Sequence, residues 1–284
     1  CRLVRSESRD RFSHLITCDE ILSCISNDSF DPRQLTLVTQ GRNIARGRFC
    51  LPAKYPGGQL QAHRGMLEAL LSAGTTMLVS DMHQHHPNLQ SLAQTLMTFL
   101  DTEVSINIYV GQPSSKGFDL HVDHHDVFIL QVEGQKEWFV AEPTHRWPLK
   151  VPEHNGPPPD AISWSGILNA GDVLYLPRGY WHRAQATSDQ PTLHLTCGVQ
   201  PNTGLHILRW LQDELMQCDV FRQDLPPLTQ PEAVQEHMEN LKTALSQAWD
   251  PNTLTRYKQY DRKRRDNIKP LQSGERENDP LPKK

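Results

Sequence analysis

A chain of 284 residues has room for one large or two modest domains, and either can bury a core without cross-links. Its composition, 37% apolar and 22% charged, is that of a globular chain, and no run approaches the ~18 apolar residues of a spanning helix. A formal net charge of −4 excludes whole-surface attraction to nucleic acid or anionic membrane, though not a local basic patch.

Residues 1–103 read as supporting helices and strands. Ile21–Ile25 carry an amphipathic stretch and Leu35–Val38 a strand pattern, after which Pro52, Pro56, Gly57 and Gly58 punctuate the chain. Leu67, Leu70 and Leu71 suit one helix face with Gly74 as its stop, and Thr76–Val79 reads as a strand. Asn88 can cap a second helix, whose Leu89, Leu92, Ala93, Leu96, Met97 and Leu100 recur at helical spacing.

From 104 to 200 the period changes to two. Strand-like runs recur at Val104–Val110, Val127–Val132, Lys136–Ala141, Val173–Leu176, His182–Ala186 and Leu193–Val199. Turn residues separate them, including Gly111-Gln-Pro113, Glu133-Gly134, Gly156-Pro-Pro-Pro159 and Gly171-Asp172. Short strands with turn chemistry between them predict a mainly β fold with flanking helices, built on the double-stranded β-helix or jelly roll of the cupins.

Residues 201–250 turn helical. Leu208, Leu211 and Leu215 share one face, and Thr229-Gln-Pro-Glu232 offers a capping-box start for a helix striped with Val234, Met238, Leu241 and Leu245. Residues 251–284 read as a polar, flexible tail. Within it Arg256–Lys269 holds seven basic residues against two acids, for which a solvated face is preferred over RNA contact. The six cysteines, without a Cys-x-x-Cys pair, read as reduced thiols, and the first residues lack a secretory pattern, so a cytoplasmic protein is expected.

The chemistry concentrates at His121-Val-Asp123 and at His182, which closes the run Gly171-Asp-Val-Leu-Tyr-Leu-Pro-Arg-Gly-Tyr-Trp-His182. Residues two apart in an extended segment project to one side, so His121 and Asp123 can reach one point, with His182 arriving from another strand. Two imidazoles and one carboxylate hold iron(II) on one face and leave the other open. A structural metal site would instead close its shell with protein ligands. His124, His125 and Asp126 read as loop groups or as partners that orient the ligands, and His83, His85 and His86 as a solvated loop.

Lys136 shares a strand face with Trp138 and Val140. If that face lines an apolar lumen, its ammonium needs a counter-charge, which a dicarboxylate would supply; an outward face would leave it solvated. Ser105, Asn107 and Tyr109 alternate with Ile106, Ile108 and Val110, and Thr192, His194 and Thr196 repeat the pattern. Both segments suit the wall of a polar pocket or a solvent-facing edge strand.

Asn107-Ile-Tyr109, His121-Val-Asp123, Asp126-Val-Phe-Ile-Leu-Gln-Val-Glu-Gly-Gln-Lys136 and the Gly171–His182 run together resemble the JmjC-type ribosomal oxygenases. These are cupin-fold, Fe(II)- and 2-oxoglutarate-dependent protein hydroxylases that use O2. The motif-level resemblance covers residues 104–200. It implies that His121, Asp123 and His182 bind iron and that Lys136 pairs with the distal carboxylate of 2-oxoglutarate. It further implies a co-substrate pocket containing Asn107, Tyr109 and Thr196, a protein or peptide substrate such as a ribosomal protein, and a homodimer formed through residues 204–249. Two other readings stay open: a hydroxylase of a small peptide or metabolite, and a catalytically silent cupin that serves as a binding module.

Overall fold

Alternation of apolar and polar residues builds the first part of the molecule into strands, and a helical period covers them. The computed structural model describes residues 1–52, 60–113, 115, 117–149, 156–187 and 190–266. The turn punctuation expected at Pro56, Gly57 and Gly58 lies outside these residues, as does the tail beyond Asp266 with Lys269. Two units are distinguished, Cys1–Pro201 and a second that begins at Asn202.

In the first unit the strands are β1 (Arg2–Val4), β2 (Leu35–Thr39), β3 (Arg42–Asn43), β4 (Cys50–Leu51), β5 (Gln61–Ala62), β6 (Thr76–Val79) and β7 (Val104–Gly111). They continue with β8 (His121–Val122), β9 (Asp126–Glu133), β10 (Gln135–Ala141), β11 (Trp164–Asn169), β12 (Val173–Leu176), β13 (Trp181–Ala186) and β14 (Thr192–Val199). Every pairing is antiparallel. A large sheet runs β1-β12-β9-β14-β7-β6-β2-β3, a smaller one runs β11-β10-β13-β8, and β4 pairs with β5. The expected jelly roll is therefore present. Because β6, β2 and β3 extend the large sheet, the segment before residue 104 is continuous with the core. Both β1 and β11 lie outside the expected strands; Gly166 and the short apolar run of β11 leave little pattern to read.

Three helices support the large sheet. In α1 (Cys18–Ile25) Thr17 accepts the Glu20 N–H while the Glu20 carboxylate takes the Thr17 N–H, closing a capping box. The second, α2 (Arg64–Ser72), is followed by Gly74 at a φ of 88°, where a side chain would be strained. The third, α3 (Pro87–Leu100), starts differently from expectation. Pro87 occupies its first position, where no N–H is needed, and Asn88 is inside the helix, its Nδ2 donating to His14 O at 2.9 Å.

The period-two code explains the layering. Ile106, Ile108 and Val110 of β7, with Leu195 and Cys197 of β14, join Ile21, Ile25, Leu67 and Leu89 from the helices in one buried cluster. The other face of the sheet contributes Val127, Ile129, Leu174 and Leu176 to a second cluster with Trp138, Val140 and Leu168. Each buried Leu or Ile contributes about 2 kcal/mol relative to exposure. All six cysteines are free.

The second unit contains α4 (Gly204–Leu215), α5 (Asp219–Arg222), α6 (Pro231–Ala248) and α7 (Thr253–Asp266). Its core is Trp210, Leu211 and Tyr257. The capping box expected at Thr229 is not formed: Gln230 precedes the helix without a side-chain cap bond, and Pro231 fills the first helical position. The expectation of a flexible tail from residue 251 is corrected by α7. There Tyr257 donates its hydroxyl to Asn202 Oδ1 at 2.7 Å, and the buried Asp261 carboxylate accepts from Asn202, Arg264 and Arg265. Ion pairs at i+3 and i+4 sustain a helix poor in apolar residues. No helix among the described residues is long and apolar enough to cross a membrane.

Candidate metal and co-substrate site

Strand register assembles the ligands. β8 runs antiparallel to β13 with His121 opposite His182, and Asp123 follows directly. The two rings lie 4.4 Å apart, and His182 Nε2 is 3.5 Å from Asp123 Oδ2. One donor atom from each of the three lies within 4.8 Å of the other two.

Both imidazoles are oriented by backbone carbonyls. His121 Nδ1 is 2.8 Å from Asp119 O, and His182 Nδ1 is 3.1 Å from Tyr180 O. A carbonyl only accepts, so each Nδ1 carries the proton and each Nε2 keeps its lone pair for a metal. Burial, then the neighbouring His121, pushes the His182 pKa down to about 4, which keeps the ring neutral. The donor set of two nitrogens and one oxygen, converging from one side, fits a divalent iron ion.

The bend before His182 is fastened to the Asp123 segment. Gly179 N–H donates to Asp123 O at 2.9 Å, and Arg178 N–H donates to Asp126 Oδ1 at 2.8 Å. Gly179 has a φ of 87°, and a Cβ there would meet Pro148 Cδ at 2.9 Å. Asp126 thus ties the bend before His182 to the start of β9. His125 lies against Gly198, where an added Cβ would approach its Cε1 to 3.0 Å.

Lys136 faces inward with Trp138 and Val140, and all three are buried. Burial lowers the Lys136 pKa from 10.5 to about 7, and no carboxylate among the described residues pairs with it. Tyr109, raised by burial and then by the Asp123 charge, stays a protonated hydroxyl donor. His194 stacks on Tyr109 with ring centroids 4.7 Å apart and meets Trp138 edge-on at 5.4 Å. Burial and the neighbouring Lys136 hold His194 well below its ordinary value.

One cavity is lined by His121, Asp123, His182, Lys136, Tyr109 and Thr196 together. Asn107 is not among its lining residues. Its Oδ1 accepts the N–H of Asp81 at 3.0 Å, fastening a residue whose φ is 55°. Sequence reasoning missed Thr76, Phe118 and Arg183 as lining residues; of the alternating Thr192, His194 and Thr196, the last two line the cavity. Thr76 was hidden because it sits on β6, ahead of the segment that shows the family motifs.

The cluster at His83, His85 and His86 is not a solvated loop. His83 Nδ1 accepts the Ile106 N–H at 3.2 Å, His85 Nε2 is 3.0 Å from Gln34 Oε1, and His86 is buried. The His83 and His85 rings tie the loop to different neighbours.

Residues 79–207 match the family model of the JmjC domain. A Dictyostelium discoideum protein named bifunctional lysine-specific demethylase and histidyl-hydroxylase NO66 is 34% identical over 167 residues, covering 54% of this chain and 32% of that protein. A Drosophila mojavensis protein of the same name is 33% identical over 134 residues, covering 44% and 15%. The chain therefore spans a third or less of the length of these relatives. Among solved structures, YcfD, a ribosomal oxygenase from Escherichia coli, superposes with a TM-score of 0.58 at 20% identity, over 90% of this chain and 65% of that one. The same protein in complex with cobalt and 2-oxoglutarate gives a TM-score of 0.58 over 90% and 66% at 20% identity. At that identity the likeness speaks for the fold.

Proposed function

We propose, from the match of residues 79–207 to the family model of the JmjC domain, that this protein is an Fe(II)- and 2-oxoglutarate-dependent oxygenase that hydroxylates a protein side chain. The observation that carries the reading is the convergence of His121, Asp123 and His182 in one cavity with a buried lysine that no carboxylate among the described residues balances.

His121 and His182 would hold iron through Nε2 and Asp123 through a carboxylate oxygen. The bound pair supplies the oxidation: O2 and 2-oxoglutarate give carbon dioxide and succinate while a substrate C–H becomes C–OH. This chain's residues do the rest. Lys136 meets the far carboxylate of the co-substrate, and that negative charge restores the ammonium which burial disfavours. Tyr109 and Thr196 offer hydroxyl donors along the same cavity. Trp138, Val127 and Ile129 line it with apolar surface that keeps bulk water from the reacting centre.

The NO66 relatives are named for histidyl hydroxylation and YcfD for action on the ribosome. By that analogy the substrate is a side chain of a ribosomal protein and the protein works in the cytoplasm. Self-association through residues 204–249 belongs to the same reading. It is supported by α6, which buries no residue fully and leaves Met238 55% and Leu245 41% exposed.

Replacing His182 with Ala tests the reading. The variant should lose iron retention and substrate-linked formation of succinate together. Turnover at the wild-type rate would sink the assignment.

A further inference from the structure

Charge is spread unevenly along this chain. It carries more acids than bases, 33 against 29, yet no acid falls between Asp31 and Glu68, while Arg33, Arg42, Arg46, Arg48, Lys54 and Arg64 all do. The fold sorts these charges. Arg33 pairs with Asp31 at 2.7 Å, and Arg64 pairs with Asp19 at 2.6 Å and Glu68 at 2.8 Å. Lys54 lies outside the described residues. Arg42, Arg46 and Arg48 are exposed, and no carboxylate among the described residues pairs with any of them.

Local geometry gathers these three within seven residues. Gln40 and Gly41, with φ values of 48° and 74°, make the tight two-residue turn that joins β2 to β3. Arg42 then opens β3, the outermost strand of the large sheet. Ile44 N–H closes on Leu37 O at 2.8 Å, and one turn of 3-10 helix carries Arg46 and Arg48. Arg46 Nε donates to Pro32 O at 3.2 Å, which fixes that side chain without neutralising it. Nothing lies within 4 Å of a Cβ built on Gly47, so the backbone between the two arginines is open to a ligand. A charge that deters pairing at a sheet edge accounts for Arg42 but not for Arg46 and Arg48, which lie beyond the sheet.

One acid meets the hairpin. Asp119 Oδ2 is 3.1 Å from a Cβ built on Gly41, and Asp119 O is the partner of His121 Nδ1 at 2.8 Å. The basic hairpin is therefore packed against the segment that delivers a metal ligand, and Phe118 of that segment lines the cavity.

We infer that Arg42–Arg48 is a docking surface for the phosphate backbone of duplex RNA, set beside the segment that carries His121. Guanidinium forks match phosphate oxygens in pairs, and all three charges are arginines. A nucleic-acid backbone presents a charge at every residue, so neighbouring guanidiniums are engaged together. No exposed aromatic accompanies them, since Phe49, which follows Arg48, is buried. That favours a paired helix held by its backbone over a single strand whose bases need a ring to stack on. Such docking stands without the oxygenase reading. Together with it, the substrate side chain belongs to a protein presented on RNA.

Fluorescence anisotropy of a labelled RNA duplex of about 16 base pairs, titrated with the full chain from roughly 20 to 200 mM salt, is the test. Wild type should bind, with affinity falling as roughly the third power of salt concentration, one power for each arginine. Arg42→Gln with Arg48→Gln should weaken binding at low salt by about tenfold or more and cut the exponent to roughly one. That variant should melt like wild type, because both side chains are exposed and unpaired. Arg262→Gln with Lys263→Gln on α7 should bind like wild type. A wild-type chain that leaves the duplex free at the lowest salt overturns the inference, as does a double variant of the hairpin that keeps wild-type affinity. Polyglutamate that competes as well as unlabelled duplex would make the surface a site for acidic proteins instead. A single strand of the same length that binds more tightly than the duplex would overturn the choice of a paired helix.

Discussion

Lys136 is the residue whose charge state the fold controls most directly. Its pKa near 7, against an ordinary 10.5, means that the native protein is deprotonated there over a range in which the unfolded chain is not. Between about pH 7 and 10.5 the unfolded chain binds more protons, so this group's contribution to stability rises with pH; below about 7 the burial penalty is fully present. Co-substrate binding runs the other way. A carboxylate binds the ammonium form, so above about pH 7 binding must take up a proton, and affinity for 2-oxoglutarate should fall towards tenfold per pH unit. Calorimetry of the manganese-loaded protein at several pH values checks this. Lys136→Met should lower affinity throughout and flatten the slope, and an unchanged slope would remove Lys136 from the account.

At the scale of elements, the bend between β12 and β13 sets the position of His182. Asp126 holds that bend by accepting the Arg178 N–H at 2.8 Å, and it also bonds Tyr175. Asp126→Ala should cost about 1–3 kcal/mol of stability. It should also weaken iron binding by roughly tenfold or more, since outer partners of ligands typically carry that much. A chemical melt and a metal titration read the two effects; a variant with unchanged metal affinity would show that β13 holds His182 without this tie.

Much at this scale was legible in the sequence. His121 and Asp123 are two apart in an extended run, and the Gly171–His182 segment spells turn, strand and bend, so the three ligands could be placed together before any fold was seen. Alternation put Lys136 on one strand face with Trp138 and Val140 but left open whether that face is inward; the fold buries all three. What stayed hidden depends on partners distant in sequence. Thr76 joins the cavity only because β6 pairs with β7. Asn107 was expected in the pocket, but its Oδ1 is taken by Asp81, a bond that no local pattern encodes. Likewise α7 has little apolar periodicity, and its stability comes from Tyr257 packing on Trp210 and from Asp261 between its arginines.

For the molecule as a whole, the second unit carries the question of assembly. In α6 Met238 and Leu245 lie seven residues apart, two turns along one face, and both are exposed. Light scattering should return twice the chain mass of 32.4 kDa, and Met238→Glu with Leu245→Glu should return the single mass. A wild-type chain that runs as a monomer at all concentrations would remove self-association from the proposal.

The central claim, that the first unit carries an oxygenase site, is tested most directly by product analysis. The iron-loaded protein is incubated with 2-oxoglutarate, isotopically heavy oxygen gas and ribosomal proteins, with His182→Ala in parallel, and succinate and substrate masses are read together. The account predicts succinate from wild type alone, matched by a protein product heavier by one labelled oxygen atom. Wild-type protein that retains iron and 2-oxoglutarate but forms no more succinate than His182→Ala would contradict it.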